Sequence, residues 1–509
     1  TYDAATNWNW HNGMHHLKLG AQAIEIRADG FDVGAFSSRG TFFFNPGATA
    51  SPTNGQFNPA LNSFAAFLTG TPSVAGISSF EQTPTYRQTL TSAYATDTIN
   101  LWKNVHFELG VRYDVFSPLR TRLSNGAVSF NPVNNQLTRN NGEGDYDFNN
   151  IAPRVGIVVR PIERMAIRAG YALHYFPTPF AFAGINQTAL ASQVGMGGGF
   201  ATTAFSLPVL GSGTALNANQ PISRTSSDAQ TPYFQTYNLM IQGDLGNGFL
   251  LDAGYVGNLG RQLPYSRGLN VSNPGLGAAG LPFAAFGRTA SFSERSTGLN
   301  SNYNSLQVNL TKRFGAGLAL AGAYTFGKVL DTGFDQSNPF TSRNNYGPAD
   351  WDRTHILAMS HLWQLPFGPG SAFFNEGWAS QLLGSWQLNG ILRWATGTPY
   401  SITADPLQCN CPGINSVRAV NQSNVAINGQ SSFDPALFSA PSAGTFGTAA
   451  RNVFRGPDYF TYDTSLFRSF PVRENFNLEL RAEAYNVTNN TNLANPVSLL
   501  TSPAFGTSN

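Results

Sequence analysis

The chain has 509 residues, but Lys, Arg, Asp and Glu make up only 11% of them, less than half of the roughly 25% carried by soluble globular proteins. The formal net charge of +2 excludes the strongly basic surface typical of nucleic-acid-binding proteins, and the absence of any run of about 18 apolar residues excludes helical membrane spans. An aromatic content of 13% excludes disorder, so the composition favours a large all-β protein that is secreted or embedded in an outer membrane.

Alternation of apolar and polar side chains predicts β-strands along the whole chain. The clearest case is residues 105–115, where every odd position is apolar and every even one is polar or Gly. In chain order, the predicted strands lie near residues 5–11, 15–27, 86–101, 105–115, 148–160, 164–175, 232–244, 249–258, 306–312, 318–326, 354–367, 385–396, 458–470 and 476–484. Most are about twice the usual strand length and long enough to cross a bilayer at a tilt, which takes about 9–11 residues. A large soluble sandwich or propeller is the alternative that would show the same alternation.

The connections between these strands alternate between very short and very long. The short ones are His11-Asn12-Gly13, Trp102-Lys103-Asn104, Pro161-Ile162-Glu163, Gly246-Asn247-Gly248, Gly315-Ala316-Gly317 and Arg473-Glu474-Asn475. The long ones lie near residues 28–84, 117–147, 177–231, 259–302, 328–353 and 397–457. Short turns at one rim and long loops at the other predict a transmembrane antiparallel β-barrel with periplasmic turns and extracellular loops. One turn-side connection, 367–384, is longer and carries Phe373, Phe374 and Trp378, so it is interpreted as an elaborated periplasmic turn.

The two faces of the strands are expected to have opposite roles, because apolar positions of a transmembrane barrel contact lipid and polar positions line the lumen. The charged residues expected to line the lumen are Glu108, Arg112, Asp114, Arg154, Arg168, Asp252, Lys312, Arg393, Glu479, Arg481 and Glu483. Their mixed signs are typical of a water-filled passage, or of a lumen that holds a plug domain through ion pairs, and not of a strongly ion-selective pore.

No constellation in the sequence requires an enzyme, and neither a cofactor nor a bound metal is expected. The segment from Gly322 to Lys328 approaches a phosphate-binding loop, but Val329 replaces the required Ser or Thr. Histidines cluster at the first turn, yet exposed turn histidines are more often solvated than metal-bound. The chain therefore shows no catalytic signature.

Two acidic residues and two cysteines leave alternatives open. Asp350 and Asp352 are compatible with a Ca²⁺ or glycosidase site, although a loop-anchoring salt bridge to Arg353 is favoured. Cys409 and Cys411 are too close in sequence to staple a fold of this size. A Cys-Asn-Cys metal or redox site is a less favoured alternative.

Four stretches carry a resemblance to a known family. The first two are Phe64-Ala-Ala-Phe-Leu-Thr-Gly70, and Ala93-Tyr-Ala-Thr-Asp97 followed by Leu109-Gly-Val-Arg-Tyr-Asp114. The most specific runs from Tyr346 to His355, with Asp350, Trp351, Asp352 and Arg353 at its centre, and leads to Leu365-Pro-Phe-Gly368. The last is Arg481-Ala-Glu-Ala-Tyr-Asn-Val-Thr-Asn-Asn-Thr-Asn492 with Phe505-Gly506. In these stretches the sequence resembles the barrel of TonB-dependent outer-membrane receptors, in particular their Oar-like group.

The resemblance implies a barrel of about 22 strands closed by an N-terminal plug, with residues 1–509 covering roughly the latter two-thirds of the strands. The plug, a regulatory-like domain and the last strand are expected to be missing from this stretch. The family implies an active transport receptor of the cell outer membrane, which takes up or exports a large ligand. Its expected partners are outer-membrane lipid and, through the missing N-terminal part, the TonB–ExbB–ExbD complex. We expect a monomer that binds no nucleic acid.

Aromatic residues in the long loops offer stacking platforms for ligand capture, although packing within the loops explains any one of them equally well. They are Phe42, Phe43, Phe44, Phe180, Phe182, Tyr346 and Trp351. Siderophores, cobalamin, oligosaccharides, peptides and exported proteins all stay open as ligands. Two other functions also stay open, namely a passive general porin of fourteen or sixteen strands and a soluble surface β-protein or adhesin.

Overall fold

The computed structural model describes residues 1–29, 41–44, 59–70, 74–80, 85–122, 127–142, 144–177, 191–195, 222–288, 292–333, 340, 345–405, 409–414, 416–422, 432–473 and 476–508. Their dominant feature is one mainly antiparallel sheet of seventeen strands, three of which, Arg120–Thr121, Ile222–Thr225 and Gly347–Pro348, are very short. The fourteen long strands are β1 (Tyr2–Asn12), β2 (His15–Asp29), β3 (Thr85–Trp102), β4 (Val105–Phe116), β5 (Ile151–Ile162), β6 (Met165–Tyr175), β7 (Tyr233–Gly246), β8 (Phe249–Gly268), β9 (Phe292–Gly315), β10 (Leu318–Asp331), β11 (His355–Gln364), β12 (Gln387–Ala395), β13 (Tyr459–Arg473) and β14 (Phe476–Ala484). The all-β class and the strand number are confirmed.

Each long strand pairs antiparallel with the long strands before and after it, so the sheet is a continuous meander from β1 to β14. Trp10 lies opposite Leu17 in the first pair, and Phe470 lies opposite Leu478 in the last. Within the described residues, β1 pairs only with β2 and β14 only with β13. The sheet therefore has two open edges.

Two strands extend well into a stretch that the sequence predicted to be a loop, residues 259–302. β8 continues to Gly268 and β9 begins at Phe292. Their pairing is irregular between Gly260 and Leu263. A bulge of this kind interrupts the period-two pattern, which is why the alternation alone did not reveal these strand ends.

The remaining elements are short and lie in the connections. The α-helices are α1 (Pro59–Leu68) and α2 (Gly377–Leu383), and the 3-10 helices are Gly277–Gly280, Ala284–Phe286 and Pro435–Leu437. Short strands outside the main sheet are Thr41–Phe43, Val74–Phe80, Ala127–Asn131, Gln136–Asn140, Ala191–Gly195, Pro399–Tyr400, Thr403–Ala404, Val417–Arg418, Val420–Asn421, Phe438–Ser439 and Phe454–Arg455. The helices are additions to the predicted fold, because they lie in stretches that a search for alternation reads only as loop.

The two faces of the sheet differ in composition as predicted. In β4, Leu109, Val111 and Tyr113 are exposed, whereas Arg112 is half-buried and Asp114 is buried. The face of Val111 continues across the cross-strand partners with the exposed residues Leu239, Ile241, Tyr255, Leu306, Phe326, Leu478 and Leu480. We call it the apolar face, and the opposite one, with Arg112, the polar face. This exposed face is mainly apolar, with Asp97 opposite Leu109 as a charged exception near a turn, and an apolar surface of this size is suited to hydrocarbon rather than to water.

The short connections are as tight as predicted where the structure describes them. In the turn from β7 to β8, Gly246, Asn247 and Gly248 all have positive φ, at 85°, 53° and 80°. Gly and Asn tolerate this left-handed backbone better than other residues. The composition of the turn is thus a direct consequence of its geometry.

Much of the buried apolar side-chain volume lies in the long loops at the other end of the strands. Phe433, Phe438 and Phe454 form the centre of one cluster, against which Leu500 and Phe505 pack. The segment after β14 is therefore docked onto the loop between β12 and β13. This packing fixes the relative position of two loops that are far apart in sequence.

Two further clusters join additional loops to this one. Val271 packs with Cys409 and Val417, and Phe130 packs against Phe283 with ring centroids 6.0 Å apart. The described parts of residues 127–142, 269–292, 397–457 and 486–508 thus form one packed unit, which we call the loop cap. Its apolar clusters are the hydrophobic core of the loop end.

Cys409 and Cys411 form a disulfide that is buried in the loop cap. The amide of Gly275 donates to the carbonyl of Cys409 and that of Gly277 to the carbonyl of Asn410, both at 2.9 Å. The disulfide thus holds residues 409–411 in a compact turn, and the carbonyls of this turn bind the loop that contains Gly275 and Gly277. In this oxidised state the sulfurs are not available as thiolate metal ligands.

Tyr400 gives the loop cap a predictable sensitivity to alkali. Its buried hydroxyl has no hydrogen-bond partner among the described residues, and burial raises the pKa of Tyr400 to about 12. An unfolded Tyr ionises near pH 10. Ionisation of Tyr400 therefore leaves the free energy of unfolding of the loop cap unchanged below about pH 10 and lowers it as the pH rises towards about 12.

We expect Tyr400→Phe to lose this alkaline dependence and to be at least as stable as the parent at neutral pH, because a buried hydroxyl without a partner is costly. The rate of proteolysis of the loop cap, measured from about pH 8 to 11.5, tests this. Superimposable pH profiles for the two proteins would contradict it.

Candidate ligand-binding face

Ten of the eleven charged residues predicted to line the lumen lie on the polar face. Asp252 and Arg393, for example, are connected across the five strands β8 to β12 through the facing residues Asn309, Ala323 and Ala358. The ten are Glu108, Arg112, Asp114, Arg154, Arg168, Asp252, Arg393, Glu479, Arg481 and Glu483. Facing residues on paired strands point to the same side of a sheet, so these side chains share one surface.

Lys312 is the exception, and its assignment to the lumen is wrong. It lies opposite Phe249 and Leu320, on the apolar face. Its ammonium group bends to the adjacent turn and donates to the carbonyls of Gly315 at 2.6 Å and Leu318 at 3.0 Å. A lysine at a strand end can keep its charge at the turn while its stem covers apolar surface.

A basic recess lies on the polar face across β2 to β5. Its lining includes Lys18, Glu108, Arg112 and Arg154. Arg112 donates from Nε to the carboxylate of the buried Asp114 at 2.9 Å. Apart from this pair, the lining carries two positive charges, on Lys18 and Arg154, and one negative charge, on Glu108. The electrostatic potential of the recess is therefore positive.

The polar face of β14 has the opposite balance of charge. Arg481 lies between two acidic neighbours and donates to Glu479 at 2.7 Å and to Glu483 at 3.5 Å. All three side chains are exposed, so water and salt weaken these pairs. The polar face therefore carries separated basic and acidic regions.

A second recess, of about 560 Å³, lies on the polar face close to the loops. Its lining includes the rings of Phe234, Tyr303 and Trp351 and the amides of Asn238 and Asn258. The indole of Trp351 is 63% exposed. Aromatic surface with a few convergent amides is the usual lining of a small-molecule site, and the size is that of such sites.

The acidic residues beside Trp351 anchor loops, as predicted, but to other partners. Asp350 accepts from Arg451 at 3.0 Å, and the buried Asp352 pairs with Arg455. Arg353 donates to the carbonyl of Thr396 at 2.7 Å, so the predicted pairing with Arg353 is wrong. Arg451 and Arg455 come from a loop about 100 residues away, and no local pattern could indicate that contact.

The predicted capture residues are only partly assembled. Trp351 lines the second recess, and the hydroxyl of Tyr346 accepts from Nδ2 of Asn302 at 2.7 Å. Phe44 packs edge-on against Phe67 of α1, with ring centroids 5.3 Å apart, and Phe42 lies in the short strand Thr41–Phe43. Phe180 and Phe182 lie outside the described residues.

The histidine cluster at the first turn is divided between the two faces of the sheet. His11 and His16 stack with ring centroids 3.8 Å apart, whereas Nδ1 of His15 lies 2.6 Å from the carboxylate of Asp97. In the part of the chain that the structure describes, no group of three or more His, Cys, Asp or Glu side chains is placed to hold a metal ion.

Sequence reasoning missed several residues of the two recesses. Lys18 and Tyr94 lie on strands whose alternation was weak, and Asn238, Asn258 and Tyr303 carry no charge that would draw attention. The alternation of side chains between the two faces of each strand could have placed them on the polar face. Their gathering into recesses depends on cross-strand register.

Several solved structures of other proteins are similar to this fold. The outer-membrane transporter YddB from Escherichia coli has a similar fold, with a TM-score of 0.51 at 12% identity over 99% of this chain and 52% of that one. The siderophore receptor PiuA from Acinetobacter baumannii matches with a TM-score of 0.46 at 12% identity over 99% of this chain and 53% of that one. The ferripyoverdine receptor of Pseudomonas aeruginosa matches with a TM-score of 0.46 at 12% identity over 99% of this chain and 46% of that one.

The chain thus spans about half the length of these solved structures. No curated protein matches the sequence. None of the helices in the described ranges is long and apolar enough to cross a membrane. The family model for the outer membrane beta barrel domain matches residues 1–509, so the chain belongs to the outer-membrane β-barrel domain family and lies in the outer membrane.

Proposed function

We propose that this chain forms part of the barrel of an outer-membrane active transport receptor, which takes up or exports a large ligand through a plugged barrel powered by the TonB–ExbB–ExbD complex. In this proposal the charged residues of the polar face, including Arg112, Arg154 and Glu483, line the lumen. The Oar-like group is the proposed subgroup. The chain acts as a monomer, and its partner TonB engages a part of the protein outside residues 1–509.

The observation that carries the proposal is the pair of open sheet edges at β1 and β14. In hydrocarbon, each backbone amide or carbonyl without a partner costs several kcal/mol. A fourteen-stranded porin would satisfy them by pairing β1 with β14, and within the described residues these strands have no such pairing. The edges therefore favour a larger barrel, completed by further strands, over a fourteen-stranded porin.

The loop end supports capture of a specific ligand. The loop cap is a packed unit, and the recess with Trp351 lies on the polar face just below the loops. A packed rim holds recognition groups in fixed positions and so lowers the entropy cost of binding. Trp351 and Tyr346 are the proposed capture residues, with Phe42 and Phe44 on a separate loop.

Planar-bilayer recording and cellular uptake together test the proposal. The full-length protein is expected to give no steady conductance in a bilayer, because a plug closes the barrel. Uptake of radiolabelled cyanocobalamin, a ferric siderophore or fluorescent maltohexaose is expected to depend on this protein and to stop when TonB is deleted. Continuous ion conductance together with TonB-independent uptake would instead establish a passive porin.

A further inference from the structure

The connection between β11 and β12 carries an apolar surface that the barrel itself does not cover. We call residues 366–385 the rim segment; it contains α2 and lies at the end of the strands where the turns are short. Trp378 is 77% and Leu382 59% exposed, and Phe373 and Phe374 are also exposed. Large apolar side chains grouped in this way indicate an interaction surface.

Two hydrogen bonds fix where the helix lies. The carbonyl of Leu382, at its C-terminal end, accepts from Nε1 of Trp386 at 3.0 Å and from Nη1 of Arg468 at 2.7 Å. The guanidinium of Arg468 also stacks on Phe470, 4.2 Å from the ring centroid. α2 is thereby held against β13.

The side of β13 that holds the helix is the apolar face. Arg468 lies opposite Leu480, and Phe470 lies opposite Leu478. Both leucines are exposed members of the apolar face. The helix therefore lies at the outer circumference of the barrel and continues the surface that contacts lipid.

The spacing within α2 separates its two sides. Trp378 and Leu382 are four residues apart and share one side of the helix, whereas Ser380, on the other side, is buried. The only charged residue of the rim segment is Glu376. Gln381 is exposed as well, so the exposed side of the helix is uncharged and carries two large apolar side chains, and nothing in the segment would attract an anionic headgroup.

We propose that α2 lies in the interface of the periplasmic leaflet of the outer membrane, with Trp378 and Leu382 in contact with phospholipid. Trp is favoured at the level of lipid headgroups because its ring is apolar and its N–H can stay hydrated. Helices that lie in the plane of the interface bind through buried apolar area and, when basic, through attraction to anionic lipid. Since α2 lacks basic residues, its contact with lipid is independent of lipid charge.

Single-cysteine labelling tests the location of the helix. Variants W378C and L382C are labelled with an environment-sensitive nitrobenzoxadiazole probe in the full-length protein, in vesicles of phosphatidylethanolamine with either 0 or about 30% phosphatidylglycerol. Cys409 and Cys411 form a disulfide and offer no free thiol to the label, and the unsubstituted protein, treated in the same way, gives the background labelling. L480C on the apolar face is the lipid-exposed reference, and N247C in a tight turn is the water-exposed reference.

We expect the label at both helix positions to be quenched by doxyl-labelled lipid to within about twofold of L480C, equally in both lipid mixtures, and to be protected from aqueous iodide relative to N247C. Labels at W378C and L382C that behave like N247C would overturn the proposal. Protection from both lipid and iodide would also overturn it, because the helix would then be covered by protein. Resistance of the barrel to unfolding by detergent at room temperature verifies that each variant is folded, and L382C gives an independent readout if W378C is not.

Discussion

Replacing Arg451 by Met is expected to release the loop between β12 and β13 from the loop that carries Trp351. The buried guanidinium pairs with the carboxylates of Asp331 and Asp350 and also donates to the carbonyl of Asp331 at 3.3 Å. Removing Arg451 leaves the buried carboxylate of Asp331 uncompensated, which costs about 3–5 kcal/mol, whereas the side chain of Asp350 is exposed to water. Hydrogen exchange of residues 345–353 and 432–457 is therefore expected to accelerate at least a hundredfold, at about 1.4 kcal/mol per factor of ten.

The strands themselves are expected to keep their exchange protection in Arg451→Met, because Arg451 lies in a loop and its strand partner, Asp331, is the last residue of β10. Arg481→Met is the matched control. It removes an Arg with two acidic partners as well, but its side chain is exposed, and exposed pairs contribute about 0–1 kcal/mol. If both variants exchange like the parent, the buried ion network does not hold the loops together.

A charge placed at Val111 is expected to block assembly of the barrel in the membrane. Val111 is the seventh of twelve residues in β4 and lies on the apolar face. An Arg on the lipid side near the bilayer midplane costs about 2–4 kcal/mol, and less towards either interface. Leu320→Arg and Leu478→Arg, each at the third residue of its strand, should therefore reduce assembly less than Val111→Arg.

The matched control is Asn477→Arg, one residue away from Leu478 on the polar face of β14. A second is Gly110→Asp on the polar face of β4, whose new Cβ would lie 2.8 Å from Cγ of Arg154 and 3.0 Å from Oγ1 of Thr96, so both side chains must shift to admit the new carboxylate beside the guanidinium. The readout is the folded fraction of protein in outer-membrane preparations, measured by heat-dependent gel mobility. Equal loss of assembly on both faces would contradict the assignment of lipid to the apolar face.

Strand parity could be read from the residues alone, because period two is local. In β4 the alternation of Leu109, Val111 and Tyr113 with Arg112 and Asp114 already separates the two faces. The same reasoning placed ten of the eleven charged residues on the polar face. Lys312 was assigned by its charge and not by its place in the alternation, which puts it on the side of Leu306 and Leu310; a long side chain at a strand end can reach polar groups from the apolar side.

The loops show where sequence reasoning ends. The pairing of Asp350 with Arg451 and of Asp352 with Arg455 joins residues about 100 positions apart, and no periodicity encodes such a contact. The docking of Phe505 onto Phe433 has the same character. These contacts arise only when the sheet brings the ends of distant strands together. The loops that follow those ends then bury their apolar side chains against one another.

The sequence by itself thus determined the strands, their two faces and the alternation of short and long connections, since each is set by neighbouring residues and by the solvent that each face meets. Tertiary structure decided the recess around Trp351, the ion pairs of the loop cap and the position of α2 against Arg468. Those features depend on cross-strand register and on long-range packing, which bring together side chains that the chain itself keeps far apart.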